Sequence, residues 1–276
     1  MICVRRGIQP RSRTTEIGVT HIGGPTTLIE VGGWRLLTDP TFDSPGGDYG
    51  FGWGSHSRKV AGPALSPAQL GRIDVVLLSH DHHGDNLDAA GRSLLPRADR
   101  VLTTKPGAAR LGGNVEGLLP WQVVRLEAPG RATMTVTATP CRHGPPLSRL
   151  IAGAVVGFAI EWEGLDRGAV WISGDTVLFE GLRDVARRIH VGTALLHLGS
   201  VRFGVTGPVR YSLSAREAVK VCQLMQPTTA IPVHYEGWTH FREGRAQIEG
   251  AFAHASFEVR RSLLWVPIGE TVEVAA

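Results

Sequence analysis

The sequence predicts an α/β protein in which two β-sheets are flanked by helices. Three observations carry that expectation. Short strand-like segments alternate with short helical ones in both halves of the chain, and turn signals recur at even intervals from about Gly18 to Glu273. A chain of 276 residues with 42% hydrophobic and 20% charged residues is also able to bury a large core. No interior stretch is rich enough in Pro, Ser or charge to be a linker. Residues 16–276 are therefore expected to form a single domain behind an N-terminal tail, residues 1–15, that is expected to be disordered.

The chain opens as a β-meander: IGVTHI from Ile17, TTLIEV from Thr26 after a Gly-Gly-Pro turn, and WRLLTD from Trp34 after the Gly32-Gly33 hairpin signal. Residues 44–63 are rich in Gly with aromatic residues interleaved, too long and irregular for a core connection, and are expected to overhang a site. Ser66-Pro67 starts a short helix that Gly71 closes. DVVLLSH, 74–80, is a continuous apolar run of the kind buried on both faces. Asn86 to Leu94 reads as a short helix, RVLTTK as a strand and PGAARLG as another short helix.

From Trp121 to Pro140 the pattern is β, with threonines alternating against Met134, Val136 and Ala138, so that one face is buried. AVVGFAIEWEG (154–164) and AVWISGD (169–175) continue as strands. Leu178 to Ile189 is an amphipathic helix, and TALLHLG (193–199) a buried strand. Ser214 and Glu217 make a capping box, after which Ala218, Val221, Cys222 and Met225 supply an apolar face until Pro227. TTAIPVHY is the next strand, followed by a helix from about Phe241 to Ala253 and two closing strands, LLWVP and TVEVA.

The net charge is +4, with 29 Lys+Arg scattered as singles and pairs rather than gathered in a stripe. Nucleic acid binding leaves a clustered footprint, so a nucleic acid partner is not expected, although a basic balance would attract a small anionic substrate. Cys3, Cys141 and Cys222 show no paired spacing, which argues against a disulfide framework or a thiolate zinc site. The N-terminus has no secretory apolar run, and nothing approaches the roughly 20 apolar residues of a membrane span. A cytoplasmic location is expected.

Chemistry concentrates after the buried strand 74–80. His80, Asp81, His82, His83, Asp85 and Asp88 crowd nine residues, a density that packing does not require. In extended or turning chain His80 and His82 point to one side and grip a metal ion, while Asp85 reaches a second ion or the far side of the first. This segment resembles the HxHxDH signature of the metallo-β-lactamase superfamily, and the resemblance continues along nearly the whole chain. His143 in TPCRHG matches the family's third histidine, Asp175 in SGDT its bridging aspartate, and His234 in IPVHY its last histidine. Asp39 in LTDP resembles an aspartate that buttresses the site from behind. One departure stands out: Gly84 intervenes before Asp85, and Asn86 stands where a histidine is expected, so the second ion is either held weakly or uses His83.

The resemblance implies an αββα sandwich of two mixed sheets and a centre of two zinc ions, with manganese or iron as alternatives, on His80, His82, Asp85, His143, Asp175 and His234. It implies a metal-dependent hydrolase in which a metal-bound hydroxide, its pKa lowered toward about 7, attacks a lactone, phosphodiester or carboxylic ester. Asp85 and Asp175 serve catalysis as well as metal binding, and His240 is a candidate to protonate a leaving group or bind substrate. The opening THIGGPTTLIEVGGWRLLTDPTF and SHDH look most like the branch with ascorbate-6-phosphate lactonase and the phospholipase D that cleaves N-acyl phosphatidylethanolamines. That branch joins a lactone to a phosphodiester and so leaves the substrate open.

His21 is expected to pack beside the site. His56, His190, His197 and His254 are read as structural, and Arg142, Arg202 and Lys105 as solvated charges. Trp53 and Tyr49 are candidate pocket walls. The competing functions are an iron-dependent redox enzyme on the same fold, a nucleic acid processing hydrolase, and a non-catalytic binding module. Specificity is expected in residues 41–63, 144–153 and 200–212.

Overall fold

The computed structural model describes residues 16–52, 54–146, 148 and 152–275. The expected tail, residues 1–15, and Trp53 lie outside the described residues. Strands β1 (Glu16–Gly23), β2 (Thr26–Val31) and β3 (Trp34–Thr38) form the antiparallel meander. A small hairpin of β4 (Asp48–Gly50) and β5 (His56–Arg58) follows within the Gly-rich loop. The sheet then grows by parallel addition of β6 (Val75–Leu77), β7 (Arg100–Thr104) and β8 (Val115–Leu118) beside β3. Parallel neighbours need crossovers. These are α1 (Ala89–Leu94), between β6 and β7, and α2 (Lys105–Leu111), between β7 and β8.

In the second sheet β9 (Val123–Leu126), β10 (Met134–Pro140), β11 (Val156–Trp162) and β12 (Ala169–Ile172) run antiparallel. β13 (Val191–His197) and β14 (Thr229–Val233) join parallel, through α3 (Glu180–Arg188) and α4 (Ala215–Met225). Two further helices, α5 (Arg245–Ala253) and α6 (Phe257–Ser262), pack with α4, and β15 (Thr271–Ala275) returns to the free edge of β1. Both sheets are mixed, as expected.

Three apolar layers hold this sandwich together. Between the sheets, Ile29, Leu36 and Leu77 meet Val136, Phe158 and Ile172. Outside the second sheet Trp171 and Leu196 pack on Leu182, Val221 and Phe252. Outside the first, Leu37 and Val76 pack on Leu87 and Leu94. Every residue of β13 is buried, because helices cover one face and the other sheet covers the opposite one.

Some element expectations change. Residues 67–70 make a single turn instead of a helix, since so few residues between Ser66 and Gly71 cannot repay helix nucleation. The helix expected from Asn86 starts only at Ala89, where the Asp88 carboxylate accepts from the Gly91 amide. The helix expected from Phe241 starts at Arg245. LLWVP forms no strand, only a bridge from Leu263 to Ala230, and β8 arises from VEGL, which carries no strand pattern.

Candidate metal centre

The centre lies where β3, β6, β12, β13 and β14 end, at the carboxyl ends of the strands. Two of its residues sit at positive φ although they are not glycine: Asp39 at 31°, just after β3, and His234 at 56°, just after β14. Such conformations cost on the order of 1–3 kcal/mol and persist only where the surroundings fix them. Here the Asp39 amide donates to the Leu77 carbonyl and the His234 amide to Gly24. Gly174 (φ 59°) makes the turn that presents Asp175, and a Cβ there would stand 2.7 Å from the Val156 carbonyl oxygen.

Three buried imidazoles form one group. His80 Nε2 lies 3.0 Å from His83 Nδ1, and His143 Nε2 lies 3.2 Å from the same atom. His143 Nδ1 is 2.6 Å from the Tyr211 carbonyl oxygen, which can only accept. Nδ1 therefore carries the proton, and the Nε2 lone pair faces the group. Burial lowers the pKa of all three, with His143 pulled down to about 4, so they are neutral at neutral pH, as metal ligation requires.

Asp85, Asp175 and His234 form the second group. His234 Nε2 lies 3.2 Å from Asp85 Oδ2 and 3.6 Å from Asp175 Oδ2. Burial raises the Asp175 carboxyl to about 7, with Asp85 and Asp39 adding repulsion against the pull of His234. Burial would lower His234, but Asp175 and Asp85 outweigh it and raise the imidazole to about 9. For Asp85, burial works upward, yet hydrogen bonds from His234 and His240 hold the carboxyl well below its usual range.

Several oxygens of this group are buried without partners. Asp85 Oδ1 and Asn86 Oδ1 accept nothing, and neither oxygen of Asp175 reaches a hydrogen bond of normal length, a weak approach by the Asn86 amide aside. Unpartnered buried carboxylates are costly, and a cation satisfies them. The donor set thus fits divalent metal: three neutral imidazoles on one side, two carboxylates and an imidazole on the other.

The structure brings His80, Asp85, His143, Asp175 and His234 together and leaves His82 outside the two groups. His82 Nε2 lies 2.7 Å from the Ala152 carbonyl oxygen, and its Nδ1 is 3.8 Å from Asp81. Two-residue alternation would align His80 with His82 in extended chain, but the chain turns here, with the Asn86 and Leu87 amides donating to the His83 carbonyl. His83, rather than His82, stands with His80 and His143 in the imidazole group, and it is not part of the carboxylate group. His240 reaches the centre too. Its Nε2 is 2.9 Å from Asp85 Oδ2 and its Nδ1 2.5 Å from Ser57 Oγ, with Phe203 stacked on its ring at 5.1 Å.

Behind the ligands, Asp39 Oδ1 accepts from the Ser79 amide and Oδ2 lies 3.0 Å from His197 Nε2. His21 Nε2 lies 3.0 Å from Gly24 O, the carbonyl that also holds the His234 amide. Arg142 donates to Leu178 and covers the Phe179 ring, and the Tyr49 hydroxyl donates to Asp43. Sequence reasoning missed the strap that fastens the Gly-rich loop. Lys59 Nζ reaches Asp88 Oδ2 at 2.8 Å, both side chains being nearly inaccessible (3% and 0%). Lys59 gives no signal of this in the chain, since it stands beside Arg58 in a loop that also carries Tyr49, Phe51 and His56.

Comparison with known proteins bears on the family and the fold. The family described as "Beta-lactamase superfamily domain" matches residues 34–235. The chain belongs to that superfamily and is a metal-dependent hydrolase within it. It is 27% identical over 261 residues to a "UPF0173 metal-dependent hydrolase" of Pelotomaculum thermopropionicum, covering 88% of this chain and 95% of the relative. In fold it is similar to an isothiocyanate hydrolase from Delia radicum gut bacteria, with a TM-score of 0.77 at 20% identity over 94% of this chain and 100% of that one. CmlA, a diiron beta-hydroxylase from Streptomyces venezuelae, is similar with a TM-score of 0.66 at 16% identity, over 96% of this chain and 55% of that one. Among the described residues no helix is long and apolar enough to cross a membrane.

Proposed function

We propose that the centre holds two divalent ions, one on His80, His83 and His143 and one on Asp85, Asp175 and His234, and that the chain hydrolyses a small molecule at an acyl, phosphoryl or comparable electrophilic centre. A lactone, carboxylic ester or phosphodiester fits this reading, and so does the N=C=S group on which the isothiocyanate hydrolase acts. The observation that carries it is the pairing of two three-donor groups around one buried floor. Divalent ions held there supply Lewis acidity and a nucleophile at neutral pH.

The chain's own residues do the rest. His240 Nε2 holds Asp85 Oδ2, which leaves Oδ1 oriented and unpartnered to face an ion and the water it activates. Water adds to the electrophilic atom, the bond to the leaving group breaks, and that group departs with a proton. His240 acts here as a positioning residue, because its two ring nitrogens are engaged by Asp85 and Ser57. The two groups differ in hardness. Three imidazoles suit zinc, whereas two carboxylates beside Asn86 suit manganese or iron as well.

Elemental analysis of the purified protein and of Asp85→Ala tests this. Two equivalents of metal falling to one, with chelator-sensitive hydrolysis of an ester panel, is the expected result. Protein free of metal whose hydrolysis is indifferent to chelator would overturn the proposal, and two irons with an optical signal would favour the redox alternative.

A further inference from the structure

The cavity that opens onto the centre has an unusual lining for a site read as attracting anions. His83, Asp85 and His143 form its floor, so a molecule in it meets the metal ligands directly. Phe51, Val201, Phe203 and Tyr211 supply its walls. The aromatic walls are locked to one another and to the floor. Phe51 and Phe203 rings are 5.1 Å apart, Phe51 is 5.4 Å from His83, and Phe203 is 6.0 Å from Tyr211. Among the described residues that line the cavity there is no lysine or arginine. Arg142 and Lys105 line a different cavity that shares His143, Lys59 is consumed by Asp88, and Arg202, between the wall residues Val201 and Phe203, is not among the lining residues.

We infer that this cavity selects an uncharged small substrate whose electrophilic group sits on the floor while a flat apolar arm lies against Phe51 and Phe203. Burying a charged arm against these rings, away from the floor, would forfeit its hydration with no lysine or arginine among the described lining residues to meet it, whereas an aryl or short alkyl arm gains burial and ring contacts. The net positive charge of the chain is then a surface property and does not set substrate choice. This inference rests on the hydrolase reading above, and it deepens that reading by naming the substrate class.

The test uses pairs of compounds that differ only by a carboxylate on the distal edge of the ring. With the metal-loaded protein, phenyl acetate and 4-acetoxybenzoate are compared as substrates, and acetanilide and 4-acetamidobenzoate as titrated ligands. The neutral member of each pair is expected to be preferred by about tenfold or more, the cost of placing a charge against an apolar wall. Thr206→Lys puts a cation on the cavity's rim and is expected to reduce or reverse that preference in both assays. Equal treatment of the two members, preference for the anion, or no binding of either ligand would overturn the assignment. A binding preference for acetanilide without turnover of either ester would instead remove the hydrolase reading and leave the cavity's selectivity standing.

Discussion

Replacing Lys59 by methionine removes one half of a buried ion pair and leaves the rest of the Asp88 environment in place. Asp88 accepts from the Phe42, Asp43 and Gly91 amides as well as from Lys59 Nζ. Breaking a buried pair by deleting one partner costs about 3–5 kcal/mol, because the remaining charge is left uncompensated. Three amide donors still solvate this carboxylate, so the lower end, about 3 kcal/mol, is expected. For a domain of this size each kcal/mol moves Tm by roughly 2–4 °C, which gives a drop of about 6–12 °C.

Asp88→Asn should cost more, since Lys59 is then buried without an anion, and the Lys59→Met/Asp88→Asn double variant should recover part of the loss. Urea unfolding followed by tryptophan fluorescence measures all three. The same strap holds the loop that carries Phe51, Ser55 and Ser57 over the centre, so Lys59→Met should raise KM while metal content stays unchanged. A stability loss below about 1 kcal/mol would show that the pair is not a structural anchor and would refute the reasoning.

Further outcomes follow from the site. His83→Ala should reduce bound metal from two equivalents to one by elemental analysis, while His82→Ala, which removes a ring bonded to the Ala152 carbonyl, should retain both; the opposite pattern would restore His82 as the ligand. His143 has its pKa pulled down from 6.5 to about 4 by burial, so its neutral form is favoured in the fold and protons compete with metal only as pH approaches 4. Dialysis across pH 7 to 4 should therefore show at least one equivalent of metal, the ion on the imidazole group, retained at pH 6 and released between about 5 and 4, and loss of that last equivalent near 6.5 would contradict this. Gly91→Ala places a Cβ 1.8 Å from the Pro40 carbonyl oxygen, so α1 or the chain after β3 must shift, at a cost of about 3 kcal/mol readable by thermal unfolding.

Much of this protein was legible in the chain. The run from Val75 to Leu78 ends in histidines and aspartates, and a strand that is apolar throughout has to be covered on both faces, so its end is the natural place for functional side chains to project. Asp175 and His234 likewise follow apolar strands, which is why their places could be read without coordinates. The choice between His82 and His83 could not be read. It depends on whether the chain is extended or turned over three residues, and that is decided by the His83 carbonyl accepting the Asn86 and Leu87 amides.

The sequence by itself determined the alternation of apolar strands and helices, the two-sheet class, and the identity of most of the metal-ligand candidates, because periodicity and residue chemistry are local. Only the tertiary structure decided that His83 joins His80 and His143, that His240 braces Asp85 through residues 155 positions apart, and that Lys59 meets Asp88. The aromatic lining of the cavity belongs to the same category, since Phe51 and Phe203 come together across distant loops. Contacts between segments far apart in the chain leave no periodic trace; they are fixed by how the two sheets pack and by where buried charge finds a partner.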